Sequence, residues 1–206
     1  MKLNHAINAH KGSTFAVVLL LMWYFNNYSI GPWIYLALHG SYGLLWLLKD
    51  RVYPDRQWAK RVSFPYGILV FASLGLYWIP AYLVASSPIP PPAWAISAAV
   101  ALNAVGLVLH FASDAQKHYT LIYREGLITE GFFSRCRNTN YLGEAMIYLS
   151  FALMAYQPLG FLGIAAFFIG VFVPNMIRKD KSLSRYPQFA AYRKRTGLFF
   201  PAFFKD

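Results

Sequence analysis

Apolar residues gather in six runs along this chain, at about 13–25, 33–48, 64–85, 93–112, 141–156 and 161–177. The pattern predicts an all-α integral membrane protein with about six transmembrane helices. The first run, Ser13 to Phe25, is short for a bilayer and leans on the interfacial aromatics Trp23, Tyr24 and Tyr28. No small-residue cleavage pattern follows Met22-Trp23-Tyr24-Phe25, so the run reads as a retained helix. The polar lead before it, residues 1–12 with His5 and His10, is expected to fray. Asn26-Asn27 and Gly31-Pro32 mark the first turn, Pro80 is expected to kink the third span, and Pro88 to Pro92 form a stiff linker. Residues 114–139 read as a long loop, Pro158-Leu159-Gly160 as a tight hairpin, and Pro187 to Lys194 as a short amphipathic helix.

Charge sharpens this picture. Every Lys, Arg, Asp and Glu falls in one of four blocks: 2–11, 49–61, 114–144 and 178–206. The connections at 26–30, 86–92 and 157–160 carry none. Positive blocks alternate strictly with neutral connections, which predicts an even number of spans and both termini in the cytoplasm. The expected organisation is a single polytopic domain, with four N-terminal spans over 1–112. Residues 113–206 then supply a cofactor-binding loop, a two-span hairpin and a basic tail.

Composition agrees with a membrane setting, because 13% charged residues is about half the share of a soluble domain. The net charge of +11 is accounted for by topogenesis, lipid headgroups and an anionic cofactor, so no nucleic-acid partner is expected. The single cysteine, Cys136, excludes an internal disulfide and a cysteine-based zinc site, and no metal is expected.

The candidate chemistry centres on Arg135-Cys136-Arg137-Asn138-Thr139-Asn140-Tyr141-Leu142-Gly143-Glu144. Glu144 lies at the membrane boundary, where an ionisable group reads as functional. Lys117, Arg124, Arg135, Arg137 and tail cations, Arg185 and Arg195 among them, favour a phosphate- or carboxylate-bearing ligand on the cytoplasmic side. Asn138, Asn140 and Tyr141 add neutral donors and acceptors, and Asn140 shares a helix face with Glu144. Gly143 permits a close backbone approach by a ligand or a helix. In the second span His39 and Tyr42 are three apart, suited either to interhelical hydrogen bonding or to polarising a substrate. No P-loop, dinucleotide fingerprint, nucleophile elbow or His-Glu-x-x-His is present.

Asn140-Tyr141-Leu142-Gly143-Glu144 resembles the Asn-(Tyr/Phe)-x-Gly-(Glu/Asp) signature of the steroid 5-alpha-reductase C-terminal family. That family's superfamily also holds sterol reductases and isoprenylcysteine carboxyl methyltransferases. Ser113-Asp114, Gln116-Lys117 and Gly131-Phe132-Phe133 are similar to upstream segments of these reductases. Tyr186-Pro187 and Pro201-Ala202-Phe203-Phe204 are similar to their tail. The resemblance implies an enzyme of the bacterial inner membrane or endoplasmic reticulum that binds NADPH from the cytoplasm. It would reduce an activated carbon–carbon double bond in a lipophilic, steroid- or isoprenoid-like substrate. By position, Asp114, Lys117, Arg137, Asn140, Tyr141 and Glu144 would contact the cofactor, with Arg124 a looser match and Glu144 near the reacting centre. Tyr186 and its neighbour Arg185 fall in the similar tail. Spans one to four carry no acid, which leaves His39 or Tyr42 to polarise a substrate carbonyl. Arg137-Asn138-Thr139-Asn140-Tyr141 also resembles the Arg-His-Pro-x-Tyr of the methyltransferases, with Asp180 near their C-terminal acid. That implies S-adenosylmethionine as the alternative cofactor.

Overall fold

A computed structural model describes residues Met1 to Phe203, so Phe204 of the tail resemblance lies outside the described residues. The described chain is helical throughout and has no strand, only two isolated bridges, Lys2 with Arg61 and Cys136 with Gly197. Three helical stretches are long and apolar enough to cross a membrane: Phe64–Ser86, Ala93–Tyr123 and Pro158–Leu183.

The chain packs as two units. One comprises Met1–Asn103 with Tyr148–Ile164, and the other Ala104–Ile147 with the chain from Ala165 onward.

In the first unit α1 spans Leu3–Tyr24. The polar lead is therefore not frayed but forms the first half of a long helix. Its Leu3, Ala6, Ile7, His10, Lys11, Thr14 and Val18 are buried at three- and four-residue spacing, one continuous inward stripe. The start is pinned from outside the helix, since Leu3 N–H donates to Lys60 O (3.0 Å) and Val62 N–H to Met1 O (2.9 Å). Asn4 and Asn8 donate to Asp50 Oδ2 at 3.0 and 2.7 Å. Asn27 closes the next turn by donating Nδ2 to Ala85 O (2.9 Å) and Ser87 O (2.8 Å).

α2 (Ile30–Tyr35) passes through a π-helical turn, Leu36–Gly40, into α3 (Ser41–Val52). Gly43 lets α3 press on α1, because a Cβ there would strike Lys11 O. α4 (Phe64–Leu74) is capped by Ser63 and joined to α5 (Ile79–Ser86) by a 3₁₀ turn at Gly75–Trp78. That irregular turn sits just before Pro80, the kink its missing N–H predicts.

α6 (Ala93–Tyr123) has 31 residues. Its last turns absorb Asp114 to Tyr123, so the first third of the expected loop is helix. α7 (Thr139–Ala155) leads through a 3₁₀ turn, Pro158–Phe161, into α8 (Leu162–Phe167). A second π-helical turn, Phe168–Phe172, connects α8 to α9 (Val173–Leu183). α10 (Phe189–Arg195) buries Phe189 and Tyr192, as the amphipathic pattern of the tail predicts.

Candidate functional site

In the second unit the Arg135–Glu144 stretch is held by the tail. Arg137 N–H donates to Gly197 O, while Gly197 N–H and Ala202 N–H both donate to Arg135 O, each at 3.0 Å. Asn138 Nδ2 donates to Leu198 O (2.9 Å) and Cys136 Sγ to Phe199 O (3.1 Å). Behind this, Gln116 on α6 braces the preceding turn: its Nε2 donates to Glu130 O and its Oε1 accepts from Phe132 N, both at 2.9 Å. Gly131 carries that turn at φ 59°, a conformation that favours glycine. Phe133 turns inward and is buried; Phe132 stays partly exposed. Tyr192 donates to Phe133 O at 2.7 Å, and burial raises its phenol above the usual range.

Arg137 is the hub. It is 5% exposed. Its Nε and Nη2 clasp Asp180 at 3.0 Å to Oδ1 and 2.9 Å to Oδ2. Nη1 donates to Thr196 O (2.7 Å) and Thr196 Oγ1 (3.1 Å). All three guanidinium nitrogens are thus committed to α9 and to the residue after α10. Sequence reasoning placed Arg137 among phosphate ligands and missed this partner, since 43 residues separate it from Asp180.

Beside this hub, Lys179 Nζ donates to Arg137 O (2.7 Å) and lies 5.3 Å from the Phe133 ring centroid. Lys117, Asp114, Cys136 and Asp180 all act on it electrostatically. The structure therefore brings Asp114, Lys117 and Arg137 into one cluster and adds Lys179, which no sequence signal had singled out. On the first turns of α7, His110 Nδ1 bonds Asn140 O at 3.1 Å, and the Tyr141 ring lies 5.1 Å from Phe172. Glu144 is half-buried one turn on from Asn140. The Oδ1 atoms of Asn138 and Asn140 are buried and accept no hydrogen bond from any described residue.

The other expected cofactor cations lie outside the hub's hydrogen bonds. Arg124 pairs with Glu130 in an exposed bridge. Thr129 N–H and Arg124 hold the Glu130 carboxyl below its usual range. Arg185 donates to Tyr186 Oη (3.0 Å) on the surface, and Arg195 lies 6.0 Å from the Tyr192 ring centroid.

The first unit buries a second polar cluster. Lys11, 3% exposed, donates Nζ to Tyr42 Oη (3.0 Å) and to Tyr148 Oη. The rings of Tyr42, Trp46, Tyr77 and Tyr148 surround it, with centroids 4.2 to 5.7 Å away. Such rings present negative faces to the cation. His39 lies in the π-helical turn, fully buried, with Nδ1 bonded to Tyr35 Oη at 2.8 Å and its ring stacked on Phe151. Its Nε2 has no hydrogen-bond partner among the described residues. His39 and Tyr42 thus find separate partners, Tyr35 and Lys11. The sequence hint for Lys11 was weak: a lysine at the end of a block read as a frayed lead. Among the described residues no three His, Cys, Asp or Glu side chains gather as metal ligands.

Cys136 offers a direct check on the latch. It is 2% exposed, and burial raises its thiol above the usual range. Both effects starve the reactive thiolate. Maleimide labelling at neutral pH is expected to run at least about a hundredfold slower than for an exposed thiol, limited by opening of the tail. Labelling at the exposed rate would show that the tail does not cover it.

A helical membrane protein with a cation-rich loop, latched by its own tail at the start of a helix, is the class that this fold and site define. Residues 50–196 match the family described as a protein of unknown function, DUF1295, which is associated with steroid 5-alpha-reductase-like proteins, and the chain belongs to that family. No curated protein matches the sequence significantly.

Proposed function

We propose that this protein is an NADPH-dependent reductase of an activated carbon–carbon double bond in a lipophilic, steroid- or isoprenoid-like substrate. In this reading six spans cross the bilayer of the bacterial inner membrane or endoplasmic reticulum, with both termini and the cofactor site in the cytoplasm. The observation that carries the reading is the cluster of Asp114, Lys117, Arg137 and Lys179 beside two buried amide oxygens that lack donors. Cations there suit phosphates, and the Asn138 and Asn140 oxygens suit hydroxyl or carboxamide donors of a nucleotide. Membership of a family associated with reductase-like proteins adds to it.

The bound cofactor would supply a hydride to one carbon of the double bond and leave as NADP+, and a proton from water would complete the other carbon. Lys117 and Lys179 neutralise its phosphates, and Asn140 and Tyr141 orient it. Arg137 holds the loop in place through Asp180 and Thr196. Glu144 stands near the reacting centre. Within the first unit the Lys11 ammonium backs the Tyr42 phenol, one of the two groups, with His39, that the sequence offers for polarising a substrate carbonyl. An ammonium on a phenol oxygen strengthens that phenol as a donor.

Purified protein is expected to bind NADPH with micromolar affinity that weakens steeply with salt. Binding of S-adenosylhomocysteine with no response to NADPH would instead make the protein an S-adenosylmethionine-dependent methyltransferase of the isoprenylcysteine or phospholipid type. Against that outcome, the carboxylate expected to face a sulfonium, Asp180, is clasped by Arg137. Glu144→Gln is expected to lose turnover while keeping its fold, and unchanged turnover removes Glu144 from the reaction. Cytoplasmic reporters fused to either end are expected to be active, and a silent C-terminal reporter would mean a miscounted span.

Lys11→Met separates packing from chemistry in the first unit. The substitution keeps the volume and leaves two phenols 3.4 Å apart. An apolar side chain of similar volume avoids the desolvation cost of the buried ammonium, and the two phenols can then bond each other. The variant is expected to melt no lower than wild type and to lose turnover. A large drop in melting temperature would make Lys11 a structural element instead.

A further inference from the structure

One charged feature of the second unit is used neither by the latch nor by the cofactor reading. A groove of about 450 Å³ runs between α9 and α10. Its floor is the Arg137–Asp180 pair, and its walls include Ile177, Lys181, Phe189, Arg193 and Leu198. The one acid in it, Asp180, is cancelled by Arg137 at 2.9 Å. That leaves Lys181 on α9 and Arg193 on α10 as the cations in its lining. Both are exposed, and neither side chain makes a hydrogen bond or ion pair with any described residue. Lys194 and Tyr186 continue the lip.

The groove lies at the polar end of an apolar helical stretch, Pro158–Leu183, that is long enough to cross a membrane. Ile177, the last apolar residue before Arg178, is 58% exposed and lines the groove with these cations. An occupant must therefore present anionic oxygen to two cations and an apolar body to Ile177 and Leu198. Basic pockets beside membrane helices at the cytoplasmic surface suit anionic lipid headgroups. A soluble phosphate would satisfy the cations and leave Ile177 bare.

We propose that this groove binds the phosphate of an anionic phospholipid, held between Lys181 and Arg193, and that the lipid stabilises the tail latch. The coupling is direct. Arg193 O and Thr196 O, at the end of α10, both accept from Arg137 Nη1. A headgroup that ties Lys181 on α9 to Arg193 on α10 draws together the two elements that Arg137 clasps.

Cys136 reports on the latch, since its thiol is covered by Phe199 of the tail. The full chain is placed in nanodiscs of phosphatidylcholine alone or of phosphatidylcholine with phosphatidylglycerol, and maleimide labelling of Cys136 is timed. The anionic lipid is expected to slow labelling by about fivefold for each cation engaged. In Lys181→Gln/Arg193→Gln the slowing is expected to vanish, with a melting temperature in phosphatidylcholine equal to wild type. Equal rates in the two lipids overturn the proposal. So does slowing that persists in the double variant, because that is a general effect of a negative surface on any thiolate. Inorganic phosphate added to phosphatidylcholine nanodiscs separates the two sources of the ligand. If it alone reproduces the protection, the groove takes a soluble phosphate and the lipid assignment fails. None of these outcomes depends on NADPH, so the proposal stands or falls apart from the reductase reading.

Discussion

Arg137→Ala is expected to lower stability by about 3–5 kcal/mol, the usual result of removing one partner from a buried ion pair. Asp180 would be left with no guanidinium on a carboxylate that is 15% exposed. Thr196 O and Oγ1, both buried, would lose their donor. For a chain of this size the corresponding fall in melting temperature is about 10 °C. The damage should be directional. The tail from Thr196 to Ala202 is tied to Arg135 and Arg137 by three backbone bonds at 3.0 Å. Loss of the guanidinium frees that segment first, so Cys136 labelling should accelerate before global unfolding. Arg137→Lys is expected to rescue little, because one ammonium cannot span the Asp180 carboxylate and the Thr196 carbonyl together. Asp180→Asn keeps an oxygen for the guanidinium and should cost less than Arg137→Ala. Wild-type melting and Cys136 labelling in Arg137→Ala would remove Arg137 from the latch. It would then be available as the phosphate ligand the family resemblance implies.

Gly143→Ala should be nearly as disruptive, for steric reasons. A Cβ on Gly143 would sit 2.7 Å from Gly106 O and press on the His110 backbone. The reciprocal Cβ on Gly106 would lie 2.8 Å from Gly143 O and 3.0 Å from Ile147 N. α6 and α7 therefore cross here at backbone contact, which only small residues permit. Overpacking at such a crossing costs about 1–3 kcal/mol and sometimes more, because both sides are main chain and cannot rotate away. Gly143→Val should be worse again. Gly75→Ala and Gly170→Ala are the controls: a Cβ at either meets nothing within 4 Å, and neither has a positive φ. Both are expected to melt close to wild type. The crossing also positions the site, since His110 bonds Asn140 O three residues before Gly143. A Gly143→Ala protein with wild-type melting but no nucleotide binding would show that the glycine makes room for a ligand, not for a helix.

These two residues mark where local reading stopped. Gly143 was legible as a place of close approach, yet the approaching surface was not, because Gly106 lies in another helix and leaves no mark on the periodicity around 143. Arg137 was legible as a cation in a polar loop. Whether it meets phosphate or carboxylate depends on how the chain from Asp180 to Thr196 folds back, and Asp180 itself reads as one acid in a basic tail. Lys11 was misplaced for a related reason. Composition assigns a lysine near a terminus to solvent, whereas four aromatic rings and two tyrosine hydroxyls make its burial tolerable. Phe133 shows the converse: an apolar residue within a charged loop is buried against Lys179 and Tyr192.

The sequence by itself determined the helical membrane class and the polar stretch at 135–144, and its motifs resembled the reductase-like proteins with which the matched family is associated. Those properties rest on solvent preference and short spacing, which every few residues report independently. The tertiary structure alone decided the partners: Asp180 and Thr196 for Arg137, the tyrosines for Lys11, Gly106 for Gly143, and the tail for Cys136. Partner choice across 43 or 137 residues is a property of the closed chain, because each such pair forms only after the helices between its members have packed.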